Sequence, residues 1–229
     1  MEIEGITKSY EEAKVISGFT ASVIRGEKIA LMGRNGSGKT TLVNALLANS
    51  PTVSESELRK TSGYDGPFVD GGKVIWGHEA AVGYFAQDHT DSIAKNTTAM
   101  AWLHEFDPQA GQEELRGLLG QMLFSGEDAL KPTRALSGGE AARLIFCRLM
   151  LQKPNVLVLD EPTNHLDLES INALNFALQK YEGTVLIVTH DHDLIDEVAT
   201  RIWDFQDGGI EDFKGPYQEY LVYAEEKAS

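Results

Sequence analysis

A chain of 229 residues with 42% apolar side chains is long enough to bury the core of one α/β domain. Thirty-five acidic against 20 basic residues leave a formal charge of −15, and Arg59-Lys60 is the only adjacent basic pair, so composition offers no patch for nucleic acid or an anionic membrane. The single cysteine excludes an internal disulfide, no apolar run nears the roughly 18 residues that cross a bilayer, and Met1-Glu2-Ile3-Glu4 lacks the pattern of a secretory leader, so the expectation is a cytoplasmic protein.

In chain order, residues 1–32 are rich in strand formers and predict an antiparallel β piece leaning on the main core. A strand over 28–32 leads into a helix over 39–48. Residues 50–72, rich in Ser, Gly, Pro and charge and carrying Asp65-Gly66-Pro67 and Asp70-Gly71-Gly72, read as a loop insert. Strands follow over 74–76 and 81–85, then a mostly helical region over 97–132 with helices at 98–105 and 112–124 and a loop at 126–132. Beyond it, a helix over 139–151, a strand over 156–159, a helix over 168–180, a strand over 185–188, a helix over 192–199 and a strand over 202–205 alternate. In the tail at 216–229, Tyr217, Tyr220, Leu221 and Tyr223 fall at helical spacing and Glu225-Glu226-Lys227 frays. Apolar strands alternating with helices of this size predict a layered α/β fold, with 97–150 as its helical part. Cys147 within Leu144-Ile145-Phe146-Cys147 reads as a small core residue, and Trp76, Trp102 and Trp203 read as core. His78, His89, His104, His165 and His192 have no metal-cage spacing and read as solvated or satisfied side chains.

Three stretches carry chemistry. Gly33-Arg34-Asn35-Gly36-Ser37-Gly38-Lys39-Thr40 follows a strand and opens a helix, the context of a phosphate-binding loop. Its glycines let backbone N–H groups turn inward on anionic oxygens, and the helix presents its positive end to them. Lys39 would reach the β- and γ-phosphates and the Thr40 hydroxyl a Mg²⁺ ion. Val156-Leu157-Val158-Leu159-Asp160-Glu161 is an apolar strand ending in two carboxylates, which places Asp160 to hold Mg²⁺ through its water shell and Glu161 to accept a proton from, or orient, the attacking water. Leu136-Ser137-Gly138-Gly139-Glu140 makes a second anion-receptive helix start.

These motifs, in this order, resemble the ATP-binding cassette (ABC) family across nearly the whole chain. Residues 33–41, including Thr41, are similar to the Walker A loop, Gln87 to the Q-loop, Leu136 to Glu140 to the signature loop, Val156 to Glu161 to Walker B, Asn164 to Asp167 to the D-loop and His190 to the switch histidine. Tyr10 resembles the aromatic that stacks on adenine. The resemblance implies a P-loop ABC fold with a mostly parallel core sheet, an antiparallel β piece and a helical subdomain, and ATP and Mg²⁺ as substrate and cofactor. Gly33, Asn35, Gly36, Ser37, Gly38, Lys39, Thr40 and Thr41 would bind nucleotide, with Glu161, His190 and Gln87 catalytic and Thr40, Gln87 and Asp160 at the metal. Two such domains would close head to tail around ATP, so that Ser137, Gly138, Gly139 and Glu140 complete a partner domain's site and Asp167 reaches across.

Within the family, Asp160-Glu161-Pro162-Thr163-Asn164-His165-Leu166-Asp167, Gly83-Tyr84-Phe85-Ala86-Gln87-Asp88-His89 and Asp212-Phe213-Lys214-Gly215-Pro216-Tyr217 are similar to the ABC-F class. That likeness is strongest to the second domain of a tandem pair, and it implies work on the ribosome or translation. The alternative is the ATPase subunit of an ABC transporter, which would need an exposed groove near Gln87 for a coupling helix. A non-catalytic ATP-binding regulator fits less well, because Glu161 and His190 are both present.

Overall fold

A computed structural model of the protein describes residues 1–88, 92–164, 166–206 and 209–228. In chain order it runs β1 (Glu2–Tyr10), β2 (Ala13–Ser22), β3 (Lys28–Gly33), α1 (Lys39–Leu47), α2 (Glu55–Ser62), β4 (Gly71–Ile75), β5 (Val82–Phe85), α3 (Ala99–His104), α4 (Gln112–Gln121), α5 (Gly138–Gln152), β6 (Val156–Asp160), α6 (Leu168–Lys180), β7 (Thr184–Val188), α7 (His192–Val198), β8 (Arg201–Gln206), β9 (Gly209–Phe213) and α8 (Tyr217–Ala228).

The strands form two sheets. The smaller, ordered β2-β1-β4, is antiparallel. The larger is ordered β5-β6-β7-β3-β8-β9; its first five strands are mutually parallel and β9 runs antiparallel to β8. This is the predicted α/β architecture: a mostly parallel core sheet, an antiparallel β piece and a helix-rich stretch between β5 and β6.

Side-chain alternation along the strands divides the core. Ala30, Leu159, Val185 and Ile187 point to one face, where α3 to α8 pack through Trp102, Leu144, Leu174 and Tyr217. Ile29, Leu31, Val158, Leu186 and Val188 point to the other, where α1, α2 and the small sheet pack through Leu42, Leu46, Leu58 and Ile6. With both faces covered, the central strands are near-continuous apolar runs, as parallel strands require. Cys147 is buried in the first layer, as expected of a core residue, and burial pushes its thiol up to about 12. Trp102 and Trp203 are buried, whereas Trp76 is half-buried and donates its indole N–H to the Leu46 carbonyl at 3.1 Å.

Four local expectations change. The loop insert at 50–72 holds α2 and the first residues of β4. Only Leu58 of α2 is buried, so no apolar stripe announced the helix; the signals passed over are its N-cap, where Ser54 accepts from the Glu57 N–H at 3.1 Å, and the pair of Arg59 with Glu55 one turn back at 2.6 Å. Residues Gly126–Leu130 form a short 3₁₀ turn rather than a loop. β9 was not anticipated, although Asp207-Gly208 between two apolar runs is a hairpin signal. α8 continues through the charged stretch expected to fray, where Lys227 pairs with Glu211 of β9 at 2.7 Å.

Candidate active site

Register explains why residues far apart in sequence meet. β7 lies between β6 and β3, and its last residue, Val188, is level with both Leu31 and Asp160. The phosphate-loop sequence, the Asp160-Glu161 pair and His190 therefore all leave the sheet at one edge, the carboxyl ends of the parallel strands, where α/β sheets bind ligands. Gln87 follows β5, whose Phe85 is level with Leu159, so it emerges at the same edge.

There a cleft of about 620 Å³ is lined by Tyr10, Asn35, Gly36, Gly38, Lys39, Thr40, Thr41, Gln87, Glu161 and His190. Val15, Thr163, Asn164 and Asp191 also line it. Val15 and Asp191 had no sequence signal beyond lying near a strand or helix end. Gly33, Ser37 and Asp160 are not part of this lining: Gly33 and Ser37 line a neighbouring cavity with Arg34 and Phe205, and Asp160 is fully buried.

Three glycines of the loop take positive φ: Gly36, at +78°, faces open space, while Gly33 and Gly38 are also closely packed. Gly33 has φ +135°, and a Cβ there would meet Phe205 at 2.8 Å. Gly38 has φ +106° and would meet Val15 at 2.5 Å. Both conformations are ones that side-chain-bearing residues rarely adopt. Gly38 is also the N-cap of α1, which has no side-chain cap, so the helix turns its first N–H groups toward the cleft.

Lys39 is buried, and its ammonium donates to the carbonyls of Gly33 and Arg34 at 2.8 and 2.9 Å. Burial lowers its pKa, against the pull of Glu161 and Asp160. Asp160 is fully buried, and neither of its carboxylate oxygens has a hydrogen-bond partner among the described residues. Burial pushes its pKa up to about 6, with Glu161 adding to the rise while Thr40 and Lys39 oppose it. A buried, unpartnered carboxylate beside a threonine hydroxyl suits Mg²⁺, which takes one or two protein oxygens and leaves the rest of its shell to water and phosphate.

Glu161 is held by a strained backbone, φ +50°, with its N–H donating to the Val188 carbonyl at 2.8 Å. That turn lifts its carboxylate off the strand axis to 3.3 Å from His190 Nε2. Burial raises the Glu161 pKa, while Lys39 and the His190 backbone pull it down. His190 is lowered by burial, by Lys39 and by His192, which favours the neutral imidazole. The outcome is a carboxylate made more basic by burial, next to a neutral imidazole and a buried ammonium.

Ser137 to Glu140 do not line the cleft. They open α5 as a reciprocal cap: the Ser137 hydroxyl accepts from the Glu140 N–H at 3.3 Å, and Glu140 accepts from the Ser137 N–H at 2.8 Å. Lys131 fixes the Glu140 carboxylate at 2.7 Å, leaving Ser137 and Gly138 exposed. Asp167, also outside the lining, caps α6 by accepting from the Ser170 N–H at 2.8 Å. Arg143 of α5 donates to Ser170 at 2.9 Å and pairs with Asp167 at 3.4 Å, tying the two loops together; its spacing from Ser137 had not singled it out. His89 and His165, parts of two family motifs, lie outside the described residues.

The family described as ABC transporter matches residues 16–164. The chain is 38% identical over 96% of its length to the probable ATP-binding protein YbiT of Escherichia coli O157:H7, of which it covers 39%. It is 33% identical over 96% of its length to ABC transporter F family member 5 of Arabidopsis thaliana, covering 30% of that protein. To protein GCN20 of Saccharomyces cerevisiae it is 34% identical over 97% of its length, covering 28%. The chain thus spans between about a quarter and two-fifths of the length of these relatives.

Proposed function

The chain belongs to the ATP-binding cassette family, and we propose that it binds ATP with Mg²⁺ in the cleft around Lys39 and hydrolyses it, closing head to tail with a second cassette. The observation that carries this reading is the Glu161 carboxylate, 3.3 Å from His190 and set among Lys39 and the buried Asp160. On nucleotide binding the Lys39 ammonium exchanges two loop carbonyls for phosphate oxygens, so no bare buried charge is created at any stage. The open amides of α1 face the same phosphates. Thr40, Asp160 and Gln87 would hold Mg²⁺, which supplies charge neutralisation at the phosphates. Glu161 orients the attacking water or takes its proton, its raised pKa bringing it closer to the working pH of a general base. His190, exposed at the rim, holds the γ-phosphate or that water.

Ser137 and Gly138 stand outside this cleft and exposed, with Gly139 and Glu140 half-buried, which supports their completing a partner's site. Tyr10 offers its ring to the base. We expect Glu161→Gln to abolish hydrolysis, retain ATP and accumulate as an ATP-bound dimer. Light scattering with and without ATP measures the dimer, and a variant that stays monomeric and turns over normally refutes the reading.

The likeness of 160–167 to the ABC-F class, together with a relative named as an F family member, supports action on the ribosome or translation. The transporter-subunit alternative would need an exposed groove at Gln87; the open groove of about 790 Å³ beside β5 is lined by Glu57, Ala81, Tyr84, Phe106 and Arg148 and does not include Gln87. ATP-dependent co-sedimentation of the Glu161→Gln form with ribosomes supports the first, and its absence the second. Among the described residues no helix is long and apolar enough to cross a membrane.

A further inference from the structure

We propose that the segment carrying α2 is a brace for the nucleobase, in which Lys8, Tyr64 and Asp70 hold the Tyr10 ring in position against the cleft. The proposal rests on the reading of Tyr10 as the ring that meets the base.

Tyr10 ends β1, one residue before a reversal in which Glu11 takes a left-handed φ of 53°. A half-buried ring at such a strand end has rotamer freedom unless something packs on it. The packing comes from the segment that follows α1. Tyr64 meets Tyr10 edge-on, with ring centroids 5.3 Å apart and planes at 80°. The Lys8 ammonium lies 5.0 Å from the Tyr10 centroid and 5.3 Å from that of Tyr64, close enough to attract both rings.

Lys8 is 2% exposed and needs a counter-charge, which Asp70 supplies at 2.8 Å. Asp70 grips β1 at three consecutive residues. Its N–H donates to the Thr7 carbonyl at 3.0 Å, one carboxylate oxygen takes the Lys8 ammonium, and the other accepts the Ser9 N–H at 2.6 Å. Asp70 thus fixes the backbone next to Tyr10 while Lys8 and Tyr64 fix its ring.

The brace is anchored where the phosphates bind. Leu58 and Phe68 are buried in the core that holds α1, the helix behind Lys39. Arg59 donates to the Gly66 carbonyl at 3.2 Å and lies 5.3 Å from the Phe68 ring, so the turn carrying Tyr64 is tied to α2. Base platform and phosphate platform therefore share one rigid support, which sets the distance between them. Such preorganisation raises affinity for the whole nucleotide and leaves that for its phosphate chain alone unchanged.

The test is calorimetric: the ratio of affinities for Mg·ATP and Mg·tripolyphosphate in the full chain. Tyr10→Ala is expected to lower that ratio about tenfold or more. Tyr64→Ala and Asp70→Asn are expected to lower it about three- to tenfold, Tyr64→Phe to lower it less, since it keeps the ring and loses only the hydroxyl that accepts from Lys8 at 3.3 Å, and Tyr64→Ala to do nothing further in the Tyr10→Ala background. A general loss of structure would reduce both affinities and leave the ratio alone. Asp70→Asn, at the more exposed end of the ion pair, decides the matter should Tyr64→Ala fail to fold. A ratio that falls with Tyr10→Ala but stays at the wild-type value in Tyr64→Ala and Asp70→Asn overturns the brace and spares the Tyr10 reading. A ratio indifferent to Tyr10→Ala overturns both.

Discussion

Asp160 is a residue whose burial weighs against stability. Its carboxyl is buried without a hydrogen bond, and its pKa is raised from 3.8 to about 6. The folded state therefore keeps a proton that the unfolded chain has already released between those values. Stability falls as pH rises through that window, and the loss persists above it, up to roughly 3 kcal/mol as a ceiling. Asp160→Asn should accordingly raise the melting midpoint of the nucleotide-free protein at pH 7.5, with the gain shrinking toward pH 5. It should also lose the extra stabilisation that Mg·ATP confers on the unsubstituted protein. Melting curves across pH 5 to 8, with and without Mg·ATP, check both; a gain independent of pH would mean that the carboxylate is not held in this raised state. The roles proposed for Lys39 and Glu161 were read from residue type and spacing, and that of His190 from the family resemblance. The strained φ of Glu161 and the orphaned oxygens of Asp160 were not, because both arise from packing around the strand end.

At the scale of an element, α2 is the instructive case. Ser, Gly, Pro and charge dominate its surroundings, and one buried side chain, Leu58, makes no periodic pattern. A helix this short is marginal by itself and forms because α1 and the core offer Leu58 a site. Leu58→Ala should therefore cost about 2–5 kcal/mol, as expected of a buried leucine. In a tolerated loop the same change would cost within about 0.5 kcal/mol. Urea denaturation measures the difference, and a midpoint near that of the unsubstituted protein would return the segment to a loop. Several longer elements were readable to within a residue or two, whereas α4 stops at Gln121, short of its expected end at 124. α6 matches its expected span of 168–180, and β6, β7 and β8 differ from theirs by single residues, since buried apolar runs and caps such as Asp167 are local signals.

For the whole molecule, charge is the controlling quantity. In the proposed closure, two copies at −15 would repel as they approach, so ATP-driven association would work against a long-range field that salt screens with a Debye length of about 10 Å at 0.1 M. The dimer of Glu161→Gln with ATP should become more populated between about 50 and 300 mM salt. Light scattering at fixed protein concentration measures this. A dimer that dissolves with salt would mean that local opposite charges across the interface outweigh the net charge.

Residue type and order alone were enough to give the family and the α/β class and to nominate the residues proposed to touch phosphate and water, because short motifs encode backbone turns and donor sets that need no distant partner. Only the tertiary structure decided that Val188 brings Lys39, Asp160, Glu161 and His190 to one edge, that the segment after α1 supports Tyr10, and that the signature loop stands apart from the cleft. Those facts depend on strand order and on contacts between residues dozens of positions apart, and no local pattern of residue types carries them.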